Sequence, residues 1–211
     1  MFILQNLNLL AGFVIAFVVG ITFHEFAHAA TADALGDDLP RSQGRLTLNP
    51  VAHMTLWGTL LLFMVGFGWG RPVQHRIWEP RKRLWVALAG PVANLLIALV
   101  LGLLVRFDLV PAIGPDWFYL PQVVVSIIYI NVLLAVFNLI PLSPLDGSAV
   151  LAGLLPGDAG RRLAQYNAAY PQALIALLLI DFMISYSTGS GFLWRLLGPP
   201  IDFLMRLFTG G

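Results

Sequence analysis

The sequence predicts an all-α polytopic membrane protein of about five to six membrane segments, one of them re-entrant, with a short β element at the membrane surface. Composition is the first reason. Hydrophobic residues make up 58% of the 211, before its 20 glycines are counted, and charged residues only 11%, against about 25% in soluble domains. Mean hydropathy is +0.81. The second reason is the recurrence of long stretches free of Lys, Arg, Asp and Glu, which a water-exposed surface does not permit. A formal charge of +1 excludes a basic nucleic-acid footprint, and with no cysteine any metal site must draw on His, Asp and Glu.

The first apolar stretch runs from Met1 to Phe23 and continues into a segment bearing His24, Glu25 and His28. No basic residue precedes Arg41, so it lacks the positive n-region of a signal peptide. Turn residues between Gly36 and Pro50 surround Arg45-Leu-Thr-Leu48, whose alternation predicts a strand or hairpin arm. Such a strand would be able to pair with an unwound peptide by β-addition. The next stretch, Leu46–Gly70, has basic residues on both sides and glycines at 58, 66, 68 and 70. Met54–Trp69 is therefore expected to enter the membrane and return to the same side, packed on protein rather than lipid.

Leu84–Val105 is expected to cross outward and Leu120–Leu142 to cross back, followed by Leu163–Ile180. Gly191–Phe208, which contains Arg195, Asp202 and Arg206, is read as a final short span or an interfacial helix. Seven of the twelve basic residues fall between residues 35 and 83. The positive-inside rule puts that zone in the cytoplasm and the N-terminus outside. No repeat or linker divides the chain. A single domain over 1–211 is expected, with a motif core at about 10–155 and C-terminal helices over 163–208.

His24-Glu25-Phe26-Ala27-His28 is an H-E-x-x-H sequence. Residues four apart share one helix face, so two imidazoles reach one Zn²⁺ while Glu25 addresses a water in the open position. Charged residues inside a span are costly unless paired or lining a wet cavity. An interfacial helix end whose polar groups reach water is the plainer alternative. Zinc needs a third protein ligand, and Asp146 is the candidate. It follows Pro141 and Pro144, which deny the backbone its helical bonds, at the end of a 29-residue uncharged run and on the expected side of the membrane. A turn carboxylate capping the next helix is the other reading of Asp146. His53 is read as interfacial or hydrogen-bonded rather than ligating, and His75 as solvated in a basic loop. Asp181 carries no assigned chemistry.

His24–His28, with Asn138, Pro141 and the run Pro144-Leu-Asp-Gly147, resembles the site-2 protease family of intramembrane zinc metalloproteases. Gly90-Pro-Val-Ala-Asn94 resembles a further motif of that family. Gly44-Arg-Leu-Thr-Leu-Asn-Pro50 with Gly58-Thr-Leu-Leu-Leu62 is similar to its short bacterial branch. The resemblance implies one Zn²⁺ held by His24, His28 and Asp146, with Glu25 as catalytic base. It implies an endopeptidase acting in or near transmembrane segments, in regulated intramembrane proteolysis at the bacterial inner membrane, with the active site toward the cytoplasm. The chain has room for neither the PDZ nor the CBS domains common in the family.

Asn138 is the candidate for an oxyanion donor or substrate-backbone contact, against a role in helix packing. Asn94 is a weaker candidate for the same contact, with packing favoured. The partners implied are single-span membrane proteins such as anti-sigma factors or signal-peptide remnants, the lipid bilayer, and an adaptor protein or a second copy of the chain. No nucleic acid is implied. The rival reading is a polytopic protein that binds or transports a metal without protease activity.

Overall fold

The computed structural model of the chain describes residues 7–59, 70–114, 119–170 and 172–211. Helix α1 covers Leu7–Ala34 and α2 is a single turn, Leu39–Ser42, followed by a 3₁₀ turn at Pro50–Ala52. Helix α3 covers Pro80–Arg106, α4 Leu120–Asn138, α5 Asp146–Leu154, α6 Asp158–Ala169, α7 Ala173–Thr188 and α8 Phe192–Thr209. Proline in the first turn of α3 and α4 needs no donor there and presets the helical φ.

Helices α1, α3 and α4 pack on one another in all three pairs, α5 packs on α3, and α8 lies across α3 and α4. Ala98, Val124, Ile128, Val132, Leu197, Ile201 and Phe208 form the main apolar cluster. Beside this cluster the bundle also buries polar and small residues, with Asn94, Asn131 and Gly90 enclosed. Apolar side chains cover the outside of α3, where Trp85, Leu96 and Val100 are exposed. That arrangement suits lipid, which satisfies no polar group but accepts any hydrocarbon face. The chain is an integral membrane protein.

The span count differs from the sequence expectation. Three described helices are long and apolar enough to cross a bilayer: Leu10–Ala34, Pro80–Arg106 and Leu120–Asn138. A fourth arises only if α7 and α8, bent by 96°, count as one broken span. The expected span Leu163–Ile180 does not form. It divides between α6, a surface helix carrying Asp158, Arg161 and Arg162, and α7, with Pro171 of the sequence between them. Most of the expected re-entrant segment, residues 60–69, lies outside the described residues. Its two ends are side by side: Met54 and Gly70 form an antiparallel bridge, and the Arg71 amide donates to the His53 carbonyl at 2.6 Å.

The β element at Arg45–Leu48 is corrected too, because no strand occurs among the described residues. The alternation there reflects capping. The Arg45 side chain is buried and donates to the Ala52 and Arg71 carbonyls. The Thr47 carbonyl accepts from His53 Nε2 at 2.7 Å, so this group is already occupied. His53 is fully buried and hydrogen-bonded, away from the other histidines' cluster. Asp181 has a clear role: its Oδ1 accepts the Leu193 amide at 2.8 Å, capping the start of α8 from α7 and fixing the bend between them.

Candidate metal centre

His24 and His28 lie one turn apart on α1, as the spacing requires, with rings edge-on and centroids 4.6 Å apart. Asp146 comes from the first residue of α5, beyond the irregular stretch 139–145 that follows α4. A side chain at Gly147 would collide with the Leu139 and Ile140 carbonyls. The bare glycine lets the start of α5 fold back against the end of α4, and this aims Asp146 at α1. Its Oδ2 lies 3.1 Å from His24 Nε2 and 3.3 Å from His28 Nε2. Donors at 2.0–2.1 Å around a tetrahedral ion stand roughly 3.3 Å apart. The spacing is that of a metal site.

The outer hydrogen bonds decide which nitrogen carries the proton. His28 Nδ1 donates to the Val86 carbonyl at 2.6 Å, so in the neutral ring Nε2 keeps its lone pair. His24 Nδ1 meets Asn94 Oδ1 at 2.6 Å. The Asn94 amide cannot turn around, because its Nδ2 donates both to the Gly20 carbonyl at 3.0 Å and to Asn131 Oδ1 at 2.8 Å. Asn131 is oriented in turn by Nδ2 donating to the Ile127 carbonyl at 2.8 Å. Two amides from α3 and α4 therefore set the His24 tautomer and bare its Nε2.

Two lone pairs and a carboxylate oxygen converge, and that oxygen, Asp146 Oδ2, is enclosed without a hydrogen-bond donor. A cation shared between them removes the repulsion. The donor set, two imidazoles and one carboxylate with an open side, fits a divalent ion with a vacant position.

Gly90 forms the floor. A Cβ there would stand 2.5 Å from His28 Nε2 and 2.7 Å from His24 Nε2, so no other residue leaves the rings in place. Glu25 is buried beside them, and its Oε2 accepts the Val73 amide at 3.0 Å. Val73 belongs to the irregular stretch 71–79, which is also held by the Arg76 amide donating to buried Asp37. The centre opens on a cavity of about 740 Å³ whose walls include Glu25, Val73, His75, Arg83, Asn138 and Asp146.

The sequence candidates divide into two groups here. His24, Glu25, His28 and Asp146 come together, and Asn138 stands in the cavity wall with one amide hydrogen on the Leu134 carbonyl at 2.9 Å. Asn94 is fully buried behind His24. Three participants escaped sequence reading. Asn131 was signalled by an amide deep in an uncharged run, a costly placement unless paired. Asp37 and Val73 act through loop geometry that no local pattern encodes. His75 is not solvated as expected: it lines the cavity with Nδ1 enclosed and unpartnered. Burial, reinforced by the neighbouring Arg83 charge, lowers its pKa.

Comparison with known proteins gives the chain's family. The family model described as Peptidase family M50 matches residues 12–113 and 116–180. A Bacillus subtilis protein named "Putative zinc metalloprotease YwhC" is 36% identical over 223 aligned positions, covering 99% of this chain and 95% of that protein. The proteins named Rip2 of Mycolicibacterium smegmatis and Mycobacterium tuberculosis, described in the same terms, are each 33% identical. They match 70% and 82% of this chain, over 58% and 66% of their own lengths. No solved structure matches the chain.

Proposed function

The chain belongs to peptidase family M50, and from that membership we propose that it is an intramembrane zinc endopeptidase. It hydrolyses peptide bonds in or near the transmembrane segments of membrane-anchored proteins. One observation carries the reading: His24 Nε2, His28 Nε2 and Asp146 Oδ2 converge at metal-ligand spacing beside buried Glu25, on a cavity of about 740 Å³. The names of its relatives support zinc as the ion.

When bound, zinc polarises the scissile carbonyl and acidifies the attacking water. The chain's residues do the rest. The Val73 amide holds Oε2 of Glu25 and leaves Oε1 to take the proton of that water and return it to the leaving amine. The second amide hydrogen of Asn138 is placed in the cavity wall to donate to the oxygen that gains charge, or to hold substrate backbone. A helical substrate hides its carbonyls in its own hydrogen bonds, so it must unwind before it is cut.

The cluster of basic residues between 35 and 83 supports an inner-membrane orientation with this cavity toward the cytoplasm. Anti-sigma factors and signal-peptide remnants are the substrate classes this reading favours. The test is reconstitution of wild type and Glu25→Gln with single-span substrates. Wild type should cleave and be stopped by a zinc chelator, whereas Glu25→Gln should keep its zinc and lose about two to four orders of magnitude in rate. Equal rates in the two proteins would leave only the metal-binding or transporting reading.

A further inference from the structure

The cavity wall carries two guanidinium groups, Arg83 and Arg161. Arg161 is occupied: its Nε donates to Asp158 Oδ1 at 3.1 Å within α6. Arg83, half-buried in the first turn of α3, has no carboxylate partner among the described residues, and its Nε is enclosed with no acceptor. His75 beside it has its Nδ1 enclosed in the same condition. Enclosed polar nitrogens without partners are rare because the lost hydrogen bond to water is not replaced. Arg83 thus brings to the cavity wall a charge that no carboxylate of the described residues neutralises.

The position along α3 gives the register. Arg83, Ala87 and Gly90 follow the i, i+4, i+7 spacing of one helix face. Ala87 also lines the cavity, and Gly90 touches both ligand nitrogens. Seven residues of helix rise about 10 Å. An extended peptide advances about 3.3 Å per residue, so the same distance takes about three residues. Arg83 and His75 also line a second cavity of about 440 Å³ that continues past Trp78, leaving room for a side chain at that point. The main cavity thus has Glu25 and Asp146 at the metal centre and Arg83 about two helical turns away along α3.

We propose that Arg83, supported by His75, is an anion subsite that selects substrates carrying an acidic side chain about three residues from the cleaved bond. The inference rests on the protease reading above. A guanidinium accepts a carboxylate with paired hydrogen bonds, which gives it selectivity for Asp or Glu over their amides.

The full chain, in phosphatidylcholine vesicles, is given one single-span substrate with Asp, Asn or Lys placed in turn at each position flanking the cut. Asp near the third position, on one side only, should raise kcat/KM on the order of tenfold over Asn, with Lys below Asn. In Arg83→Gln the Asp-to-Asn ratio should fall to about one, and Arg83→Lys should keep part of it. Zinc content reports folding and loading of each variant.

A wild-type ratio of one at every position, or a preference that survives Arg83→Gln, overturns the proposal and leaves the protease reading intact. If no substrate is cleaved at all, the protease reading itself fails and takes the subsite with it. Repeating the series with phosphatidylglycerol vesicles separates the remaining source of anion. An unchanged ratio assigns the site to the peptide, and a ratio that collapses assigns Arg83 to lipid phosphate and overturns the proposal.

Discussion

Helices α3 and α7 are both strongly apolar, yet the structure uses them in opposite ways. Helix α3 buries Gly90, Pro91, Asn94 and Ala98 against α1 and α4 and turns Trp85, Leu96 and Val100 outward. Helix α7 fully buries no residue; Ile175, Leu179, Phe182 and Tyr186 are exposed along one face, and Ile180 and Ile184 are exposed on another. Hydrophobicity alone therefore suffices to make a membrane-compatible helix. What gives a helix a definite inner face is its small and polar residues, since backbones approach closely at glycine and alanine and amides find partners only inside the protein. The metal-ligand cluster is built where that second kind of information is densest.

The sharpest way to break this contrast is to enlarge the floor of the centre. Gly90→Ala adds one methyl group 2.5–2.7 Å from ring atoms of His24 and His28, a spacing that side chains do not adopt. The rings must shift, and a displacement near 1 Å at a reacting centre costs about a hundredfold in rate. Zinc affinity, measured by chelator competition, and cleavage should fall together by about that factor. Wild-type affinity in Gly90→Ala would mean that the two imidazoles are not held against α3 as described.

A smaller effect is expected one layer out. Asn131 touches neither the ligand atoms nor the cavity, but it fixes Asn94 and through it the proton of His24. Asn131→Leu removes the acceptor for one Asn94 hydrogen and leaves the Gly20 carbonyl alone to hold that amide against His24. Partners behind a ligand histidine are worth about 10- to 100-fold in metal affinity, so zinc should bind on the order of tenfold more weakly. Asn94→Asp, whose carboxylate still accepts the Nδ1 proton, should bind zinc more tightly than Asn94→Leu. An effect of Asn131→Leu on cleavage with no change in zinc affinity would remove the tautomer argument.

The same division between two kinds of information explains what sequence reading reached. His24, Glu25 and His28 declare themselves because helical periodicity converts their spacing directly into geometry, and Asp146 because two prolines mark the broken backbone beside it. The three spans follow from composition. The reading missed features set by long-range contacts. Arg45-Leu-Thr-Leu48 alternates like a strand, but its alternation serves two carbonyl caps. Leu163–Ile180 is long enough to span, but Tyr170-Pro-Gln172 interrupts the residues that form α6 and α7. Asp181 looked like a misplaced charge because its partner amide, on Leu193, lies beyond a 96° bend that no periodicity predicts.

The other side of the contrast is tested by leaving the bundle alone. Leu179 is 61% exposed on α7, whereas Ile128 is fully enclosed at the centre of α4. Truncating Ile128 to alanine creates a cavity and should cost about 2–5 kcal/mol. Leu179→Ala removes mostly exposed hydrocarbon, so in detergent its effect on unfolding should stay within about 0.5 kcal/mol. Denaturant titration of the purified protein, following loss of bound zinc and of helicity separately, compares the two substitutions. If Leu179→Ala destabilised the fold as strongly as Ile128→Ala, α7 would have to pack on protein, and its exposed face would belong to an interface between chains rather than to lipid.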